Sequence, residues 1–149
     1  MKLLLAVDGS KYADAAAQAL ASLMKAQNTE VLVLQVIEPR IYSTPPQMAA
    51  GYEPEQAEYL KEKSQEAHKS VDRTADLLRA AGFRVNTRVV EGEPRTTILD
   101  VAAEWKAELI VLGSHGRKGL ERFVLGSVAE AVARNAYASV LIVRLAAGR

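Results

Sequence analysis

Cysteine is absent from all 149 residues of the sequence. A disulfide framework, a thiol nucleophile and a thiolate metal site are therefore excluded. The sequence also lacks an excess of either charge, because 19 basic residues face 18 acidic ones and leave a formal net charge of +1. A general nucleic-acid binder or a membrane-surface binder would carry a clear basic excess. We therefore expect neither nucleic acid nor a membrane as a partner.

Long apolar runs are also missing, since none approaches the roughly 20 residues that a membrane helix needs. The apolar start ends at Asp8, and no small-residue cleavage pattern of a signal peptide follows it. These features predict a cytoplasmic protein. A hydrophobic fraction of 49% and a charged fraction of 25% are typical of globular proteins. We expect residues 1–149 to form one domain.

Short apolar runs alternate along the sequence with segments of helical spacing. The predicted strands cover residues 3–7, 31–37, 84–90, 109–112 and 140–143. A helix is predicted between each strand and the next, which gives the order βαβαβαβαβ. Such alternation predicts an α/β fold with one parallel sheet and crossover helices on both of its faces. A breaker-rich loop is predicted over residues 38–54, and loops of that length are usually functional.

Two strand ends carry residues suited to ligand binding. In an open α/β sheet, ligands bind beyond the carboxyl ends of the strands, where the strand order reverses. Asp8 follows the first predicted strand, and its carboxylate can accept hydrogen bonds from ribose hydroxyls or hold a divalent cation. Its alternative roles are to cap the first helix or to anchor the turn at Gly9.

The second strand end is that of the fourth predicted strand. A glycine-rich loop begins there at Gly113 and runs to Gly126 and Ser127 at the start of the last helix. Glycines let the backbone approach a ligand closely, and a helix N-terminus attracts phosphate. Three basic side chains add positive charge to the same loop, namely Arg117, Lys118 and Arg122. These features predict a phosphate-binding loop.

Ordinary structural roles explain the same residues. Ser127 and Glu130 fit the capping box S-x-x-E, so Ser127 is also a candidate helix cap. Gly113 and Gly116 are also candidate turn glycines, and basic residues in a loop are usually solvated. His115 has no partner nucleophile in the sequence, and a lone loop histidine is more often structural or exposed than catalytic. We predict no catalytic residue.

The spacing Gly113-x2-Gly116-x9-Gly126-Ser127 resembles the G-2x-G-9x-G-[S/T] pattern of ATP-binding universal stress proteins. Residues 5–10, 33–39 and 109–116 are also similar to that family, in the right order and over essentially the whole sequence. The resemblance implies a Rossmann-like open sheet of five parallel strands in the order 3-2-1-4-5. Strands one and four would then be neighbours at the switch point.

The resemblance also implies a set of site residues. Ala6, Val7 and Val36 would border the adenine, and Asp8 and Gly113 would contact the ribose. The phosphates would be held by backbone N–H groups around Gly116, Gly126, Ser127 and Val128. Ser114 and Arg117 complete the expected nucleotide-binding set. The implied ligand is ATP, or ADP or AMP, with Mg²⁺ or Mn²⁺ and with Asp8 as the candidate metal ligand.

A homodimer is implied as well, through antiparallel pairing of the last strands. The residues concerned are Val140, Leu141, Ile142 and Val143, a compact apolar strand whose exposed edge needs covering. The sequence departs from many relatives at Ser139, where they carry a proline just before this strand.

Three functions remain open on the sequence. The first is an ATP-binding regulatory protein of the stress response, in which nucleotide orders the loops at 38–54 and 114–125 and changes the dimer surface. The second is a slow ATPase or autokinase with Ser114 and Ser127 as candidate acceptors. The third is a dimeric scaffold that binds no nucleotide.

Overall fold

The computed structural model describes residues 1–39, 53–117 and 124–145, and strands and helices alternate through these residues as the sequence predicts. The elements are β1 (Lys2–Val7), α1 (Lys11–Leu23), β2 (Glu30–Ile37), α2 (Glu53–Ala80), β3 (Arg84–Glu91), α3 (Pro94–Trp105), β4 (Leu109–Gly113), α4 (Ser127–Asn135) and β5 (Ser139–Val143). Most of the loop predicted at 38–54 lies outside the described residues, as do Lys118, Gly119 and Arg122. Pro54 belongs to the first turn of α2 rather than to a loop, which is a position that proline tolerates.

The strands form one parallel sheet in the order β3-β2-β1-β4-β5, as expected. The order reverses at β1, which lies between β2 and β4. β1 ends at Val7, opposite Gln35, whereas β2 continues to Ile37 and is paired there with β3. This difference in length leaves a step in the carboxyl edge of the sheet beside the switch point.

Side chains alternate between the two faces of the sheet and build one hydrophobic cluster on each. The first cluster joins Leu3, Leu5, Val31 and Val33 to α1 and α2. The second joins Leu4, Ala6, Leu32 and Leu34 to α3 and α4. Because both faces of the central strands are covered, these strands are apolar at nearly every position.

The longest helix, α2, packs a stripe of Ala67, Val71, Ala75 and Leu78 against the sheet, and all four side chains are fully buried. Gly82 follows the helix with a φ of +95°, a conformation that suits a glycine just past a helix end. In the part of the protein that the structure describes, no helix has the length and apolar character needed to cross a membrane.

The N-terminus of α4 differs from its predicted form. Gly126 is the N-cap, and Ser127 is the first residue inside the helix. Glu130 is paired with Arg134 across one helical turn at 3.0 Å. The alternative that Ser127 caps the helix in a capping box is therefore wrong, and the sequence signal is displaced by one residue. In α1, by contrast, the Oγ of the N-cap Ser10 accepts a hydrogen bond from the backbone N–H of Ala13 at 3.2 Å.

We expect Ser10→Ala to lower the free energy of unfolding by about 1 kcal/mol, because it removes the hydroxyl that caps α1. Ser127→Ala is the matched control and should leave the free energy of unfolding unchanged, since Ser127 lies inside its helix. Urea unfolding of the nucleotide-free protein measures both. Equal losses in the two variants would contradict the assignment of the caps.

Candidate functional site

A cavity of about 580 Å³ lies at the carboxyl ends of β1, β2 and β4, at the switch point of the sheet. Its volume is within the usual range for small-molecule sites. Its lining includes every residue of the expected nucleotide-binding set except Ser114, namely Ala6, Val7, Asp8, Val36, Gly113, Gly116, Arg117, Gly126, Ser127 and Val128. Residues 118–123 of the predicted phosphate-binding loop lie outside the described residues.

The carboxylate of Asp8 ties two parts of the site together. Its Oδ1 accepts a hydrogen bond from the backbone N–H of Ser10 at 3.0 Å, which anchors the turn at Gly9. Its Oδ2 accepts one from the backbone N–H of Arg117, also at 3.0 Å, across 109 residues of sequence. Asp8 therefore anchors the Gly9 turn, as one alternative predicted, while Ser10 caps α1. A carboxylate has about four acceptor positions, so Asp8 keeps capacity for a ligand hydroxyl.

The three glycines of the motif are each in close contact with another part of the protein. A Cβ built on Gly113 would lie 2.8 Å from the carbonyl carbon and oxygen of Tyr12, and one on Gly116 would lie 3.1 Å from Oδ2 of Asp8. A Cβ on Gly126 would lie 3.1 Å from Cα of His115 and would therefore meet the loop backbone. Larger residues at Gly113 and Gly126 would thus disturb the fold before any ligand is present.

The hydroxyl of Ser114 is not in the cavity. Ser114 is 2% exposed, and its Oγ is 2.9 Å from Nδ1 of His115. Its backbone N–H donates to the carbonyl oxygen of Val143 at 2.8 Å, and its own carbonyl oxygen accepts from the N–H of Gly126 at 2.7 Å. Ser114 thus joins β4 to β5 and to the start of α4. Its buried hydroxyl is poorly placed to accept a phosphoryl group.

His115 lines the cavity, and its ring centre lies 5.2 Å from that of Tyr12. Together with the contact to Ser114, this packing fixes the position of the imidazole ring. The guanidinium of Arg117 is also near the first turn, since its Nη2 lies 3.1 Å from the position that a Cβ on Gly9 would occupy. A cationic group therefore lies beside the carboxyl end of β1.

One wall of the cavity, formed by β2 and α2, was missed from the sequence. The residues are Gln35, Ile37, Tyr59, Lys63 and Glu66. Lys63 Nζ lies 3.4 Å from Oε2 of Glu66 and 5.7 Å from the centre of the Tyr59 ring. Tyr59, Lys63 and Glu66 carry no local signal, because only the packing of α2 brings them to the end of β2, whereas Gln35 and Ile37 flank Val36 of the expected set.

A second wall of the cavity was also not predicted from the sequence. It contains Glu93, Pro94, Arg95 and Ile98 at the start of α3. Glu93 is the N-cap: its Oε2 accepts from the backbone N–H of Thr96 at 3.0 Å, and its Oε1 accepts from Nε of Arg95 at 2.8 Å. Desolvation by burial acts to raise the pKa of Glu93, but the hydrogen bonds from Arg95 and Thr96 outweigh it and lower that pKa. The sequence signal for this wall was the pair Glu93-Pro94, since a carboxylate before a proline at the first helical position is typical of a helix start.

Among the described residues, no group of three or more His, Asp or Glu side chains is arranged to hold a metal ion. Asp8, the candidate metal ligand, is a single carboxylate with both oxygens already hydrogen-bonded to backbone N–H groups. A divalent cation at this site would need most of its ligands from a bound molecule or from water, as Mg²⁺ commonly does when it accompanies phosphates.

The fold and the cavity define a single-domain, Rossmann-like α/β protein with its candidate site at the topological switch point. The protein belongs to the universal stress protein family, because the model of that family matches residues 1–144. This confirms the resemblance seen in the sequence.

Individual relatives match over nearly the whole length of the protein. Universal stress protein MJ0531 of Methanocaldococcus jannaschii is 37% identical over 143 residues, which are 96% of the present sequence and 81% of that protein. The structure of universal stress protein UspA from Lactobacillus plantarum has a TM-score of 0.84 at 26% identity, and the match covers 97% of both proteins. A universal stress protein in complex with cAMP has a TM-score of 0.71 at 25% identity, and the match covers 96% of both.

We expect Asp8→Ala to accelerate hydrogen exchange at the backbone N–H of Arg117 by about fivefold to tenfold, because the variant removes the acceptor of that bond. Exchange measured by NMR on the nucleotide-free protein tests this. Asp100→Ala removes an exposed carboxylate on α3 and serves as the control for lost charge. Unchanged exchange in Asp8→Ala would show that Asp8 does not hold the loop.

Proposed function

We propose that this protein binds an adenine nucleotide at the switch-point cavity and acts as a regulatory protein of the stress response. ATP is the proposed ligand, with ADP and AMP as the other candidates and Mg²⁺ or Mn²⁺ as the accompanying ion. The observation that carries the proposal is the uncapped N-terminus of α4, which faces the cavity beside Gly116 and Asp8.

The helix termini around the cavity differ in how their first N–H groups are satisfied. Ser10 caps α1 and Glu93 caps α3 with a side-chain oxygen, whereas the N-cap of α4 is Gly126, which offers no such oxygen. The N-terminus of a helix has several N–H groups without a partner inside the helix and about half a positive charge. A phosphate group at Ser127 and Val128 would satisfy those donors.

The opposite end of the cavity suits a base. Its walls include the apolar side chains of Ala6, Leu34, Val36, Ile98 and Leu112. β2 extends beyond the end of β1, so no residue of β1 is paired with Val36 or Ile37 in the described sheet. Backbone groups on that side of β2 are therefore open to hydrogen bonds with the edge of a base, as the resemblance implies for Val36.

The middle of the cavity fits a ribose and a cation-bound phosphate. Asp8 lies between the two ends and has acceptor capacity for a sugar hydroxyl. When bound, a divalent cation would supply positive charge to neutralise the phosphate oxygens, and Asp8 is the carboxylate that would face it. The solved family member in complex with cAMP supports an adenine nucleotide as the class of ligand.

The way the loop is held supports the proposed regulatory role. Residues 113–117 are connected to the turn before α1 through Asp8, to β5 through Val143 and to α4 through Gly126. A nucleotide between these elements would change the order of the loop and the surface next to β5. A slow ATPase or autokinase remains the alternative, with Ser127, which lines the cavity, as its better-placed acceptor.

We expect Ser127→Asp to weaken ATP binding by about 10-fold or more, because it places a negative charge where the phosphates would bind. The fold should persist, since an acidic residue in the first turn of a helix is stabilising. Ser127→Asn is the matched neutral control and should bind within about threefold of the parent. Isothermal titration calorimetry with ATP and Mg²⁺ measures all three affinities.

Adenosine, which has no phosphate, should bind the parent and Ser127→Asp equally. Equal ATP affinity in Ser127→Asp and Ser127→Asn would mean that no phosphate lies at α4. The absence of ATP binding to the parent would refute the proposed function and leave the scaffold hypothesis.

The dimer implied by the resemblance is part of the proposal. β5 is an edge strand, and Val140, Leu141, Ile142 and Val143 are only partly buried. The N–H of Ser139 donates to the carbonyl of Glu108, and the carbonyl of Val143 accepts from Ser114. Because backbone groups alternate in direction along a strand, those of Val140 and Ile142 point to the open edge. The N–H of Ser139 therefore donates within its own protomer. The proline that many relatives carry at this position would lack this donor.

We expect the parent to have about twice the 16.1 kDa mass of one protomer, and Ile142→Pro to have the mass of a monomer, because proline removes a donor from the open edge. Sedimentation velocity gives the mass, and circular dichroism checks the fold. Ile142→Val keeps the donor and should remain dimeric. A folded Ile142→Pro dimer would contradict pairing through β5.

A further inference from the structure

Charged side chains follow the apolar pocket proposed for the base, on the open side of the cavity beyond the carboxyl ends of the strands. β2 contributes Leu34 and Val36 to the pocket, and Glu38 lines the cavity two residues further along the chain. α3 contributes Ile98 to the pocket, and Arg95 lines the cavity one helical turn before it. The apolar pocket therefore has a charged rim that is contributed by both of these elements.

Arg95 and the base pocket lie on the same face of the sheet. Leu34 and Ile98 belong to the hydrophobic cluster that α3 and α4 cover, and Val36 packs against that cluster. Residues three apart in a helix share one face, so Arg95 lies on the face of α3 that buries Ile98. Because α3 follows β3, it begins at the carboxyl edge of the sheet, and Arg95 is nearer than Ile98 to the open side of the cavity.

Two carboxylates of the cavity wall act on the guanidinium of Arg95. Its Nε donates a hydrogen bond to Oε1 of Glu93 at 2.8 Å, and Glu93 is itself fixed as the N-cap of α3. The hydrogen bond to Glu93 raises the pKa of Arg95, and the negative charge of Glu38 adds to this effect. A cation is therefore fixed on the α3 side of the pocket opening and attracted towards the end of β2.

We propose that the guanidinium of Arg95 stacks on the base of the bound nucleotide and closes the open side of the base pocket, an inference that rests on the proposed function. Glu93 engages the Nε edge of the guanidinium, which leaves its planar faces for a ligand. These faces are weakly hydrated and stack well on aromatic rings. The side chains of Val36 and Ile98 are aliphatic, so Arg95 adds the planar contact that they lack.

A cation in a nucleotide site also attracts phosphates, and the structure separates this role from stacking only in part. The proposed phosphate site is the N-terminus of α4, and α4 covers the same face of the sheet as α3. The axes of packed helices are about 8–10 Å apart, which is comparable to the Debye length of about 8 Å at 0.15 M salt. The two roles predict different ligand dependence: stacking acts on every ligand with the base, whereas charge attraction acts only on ligands with phosphates.

The test therefore compares the parent and Arg95→Ala with two ligands. ATP carries the base and the phosphates, whereas adenosine carries the base and the ribose but no charge. We expect Arg95→Ala to weaken the binding of ATP and of adenosine by the same factor, about fivefold, because both ligands lose the same contact with the base. Isothermal titration calorimetry at about 0.15 M salt measures the four affinities.

Arg88→Ala is the matched control for the loss of an arginine. Arg88 is paired with Glu104 at 3.6 Å, much as Arg95 is with Glu93, but it lies on β3 and is not part of the cavity wall. This variant should keep the affinity of the parent for both ligands. The melting temperature of nucleotide-free Arg95→Ala should stay close to that of the parent, since exposed ion pairs contribute little to stability.

The inference and the proposed function fail in different ways. If Arg95→Ala weakens the binding of ATP but not of adenosine, Arg95 acts on the phosphates and stacking is refuted. Stacking is also refuted if Arg95→Ala binds both ligands like the parent, or if Arg88→Ala loses as much affinity. Nucleotide binding stands in each of these cases. If the parent binds no ATP, the proposed function itself fails, and the inference fails with it.

Discussion

The site depends on the close approach of the end of β4 to the start of α1. At Gly113, a Cβ would lie 2.7 Å from Cβ of Tyr12 and 2.8 Å from the carbonyl carbon and oxygen of that residue. Real Cβ atoms essentially never come so close to other atoms, so only glycine fits without a shift of α1. The approach brings the turn after β1 beside the loop after β4, and Asp8 can then bind the N–H of Arg117. The switch-point cavity opens between these two segments.

The two explanations of the glycine motif, as turn glycines and as a phosphate-binding loop, are compatible. Gly126 leaves room for the backbone at His115, and as the N-cap it has no side chain that could accept from the first N–H groups of α4. A serine in that position would meet the loop backbone and compete with a ligand for the same donors. One residue thus shapes the loop and keeps the helix N-terminus available.

The fold could be predicted well from the sequence because its signals are local. Apolar runs mark the strands, Gly82 marks the end of α2, and Pro94 marks the start of α3. The resemblance supplied the strand order and the expected site residues of β1, β2, β4 and α4. The wall from α2 was missed, because its proximity to the site depends on tertiary packing alone. The alternative role of Ser127 as a cap was wrong, since a capping signal does not distinguish the N-cap from its neighbour.

Three features of the cavity bear on how a ligand could be hydrogen-bonded there. α4 has no N-cap side chain to accept from its first N–H groups, β2 has an open backbone edge beyond β1, and Gln35 has an enclosed acceptor without a donor. Away from the cavity, the described residues include one further orphan of this kind, at Gln56. Proteins usually satisfy their buried polar groups, and the exceptions collect where a protein binds something. Under the proposed function, a phosphate at α4 and the edge of a base at β2 would satisfy the first two of these positions, in the order in which one adenine nucleotide carries them.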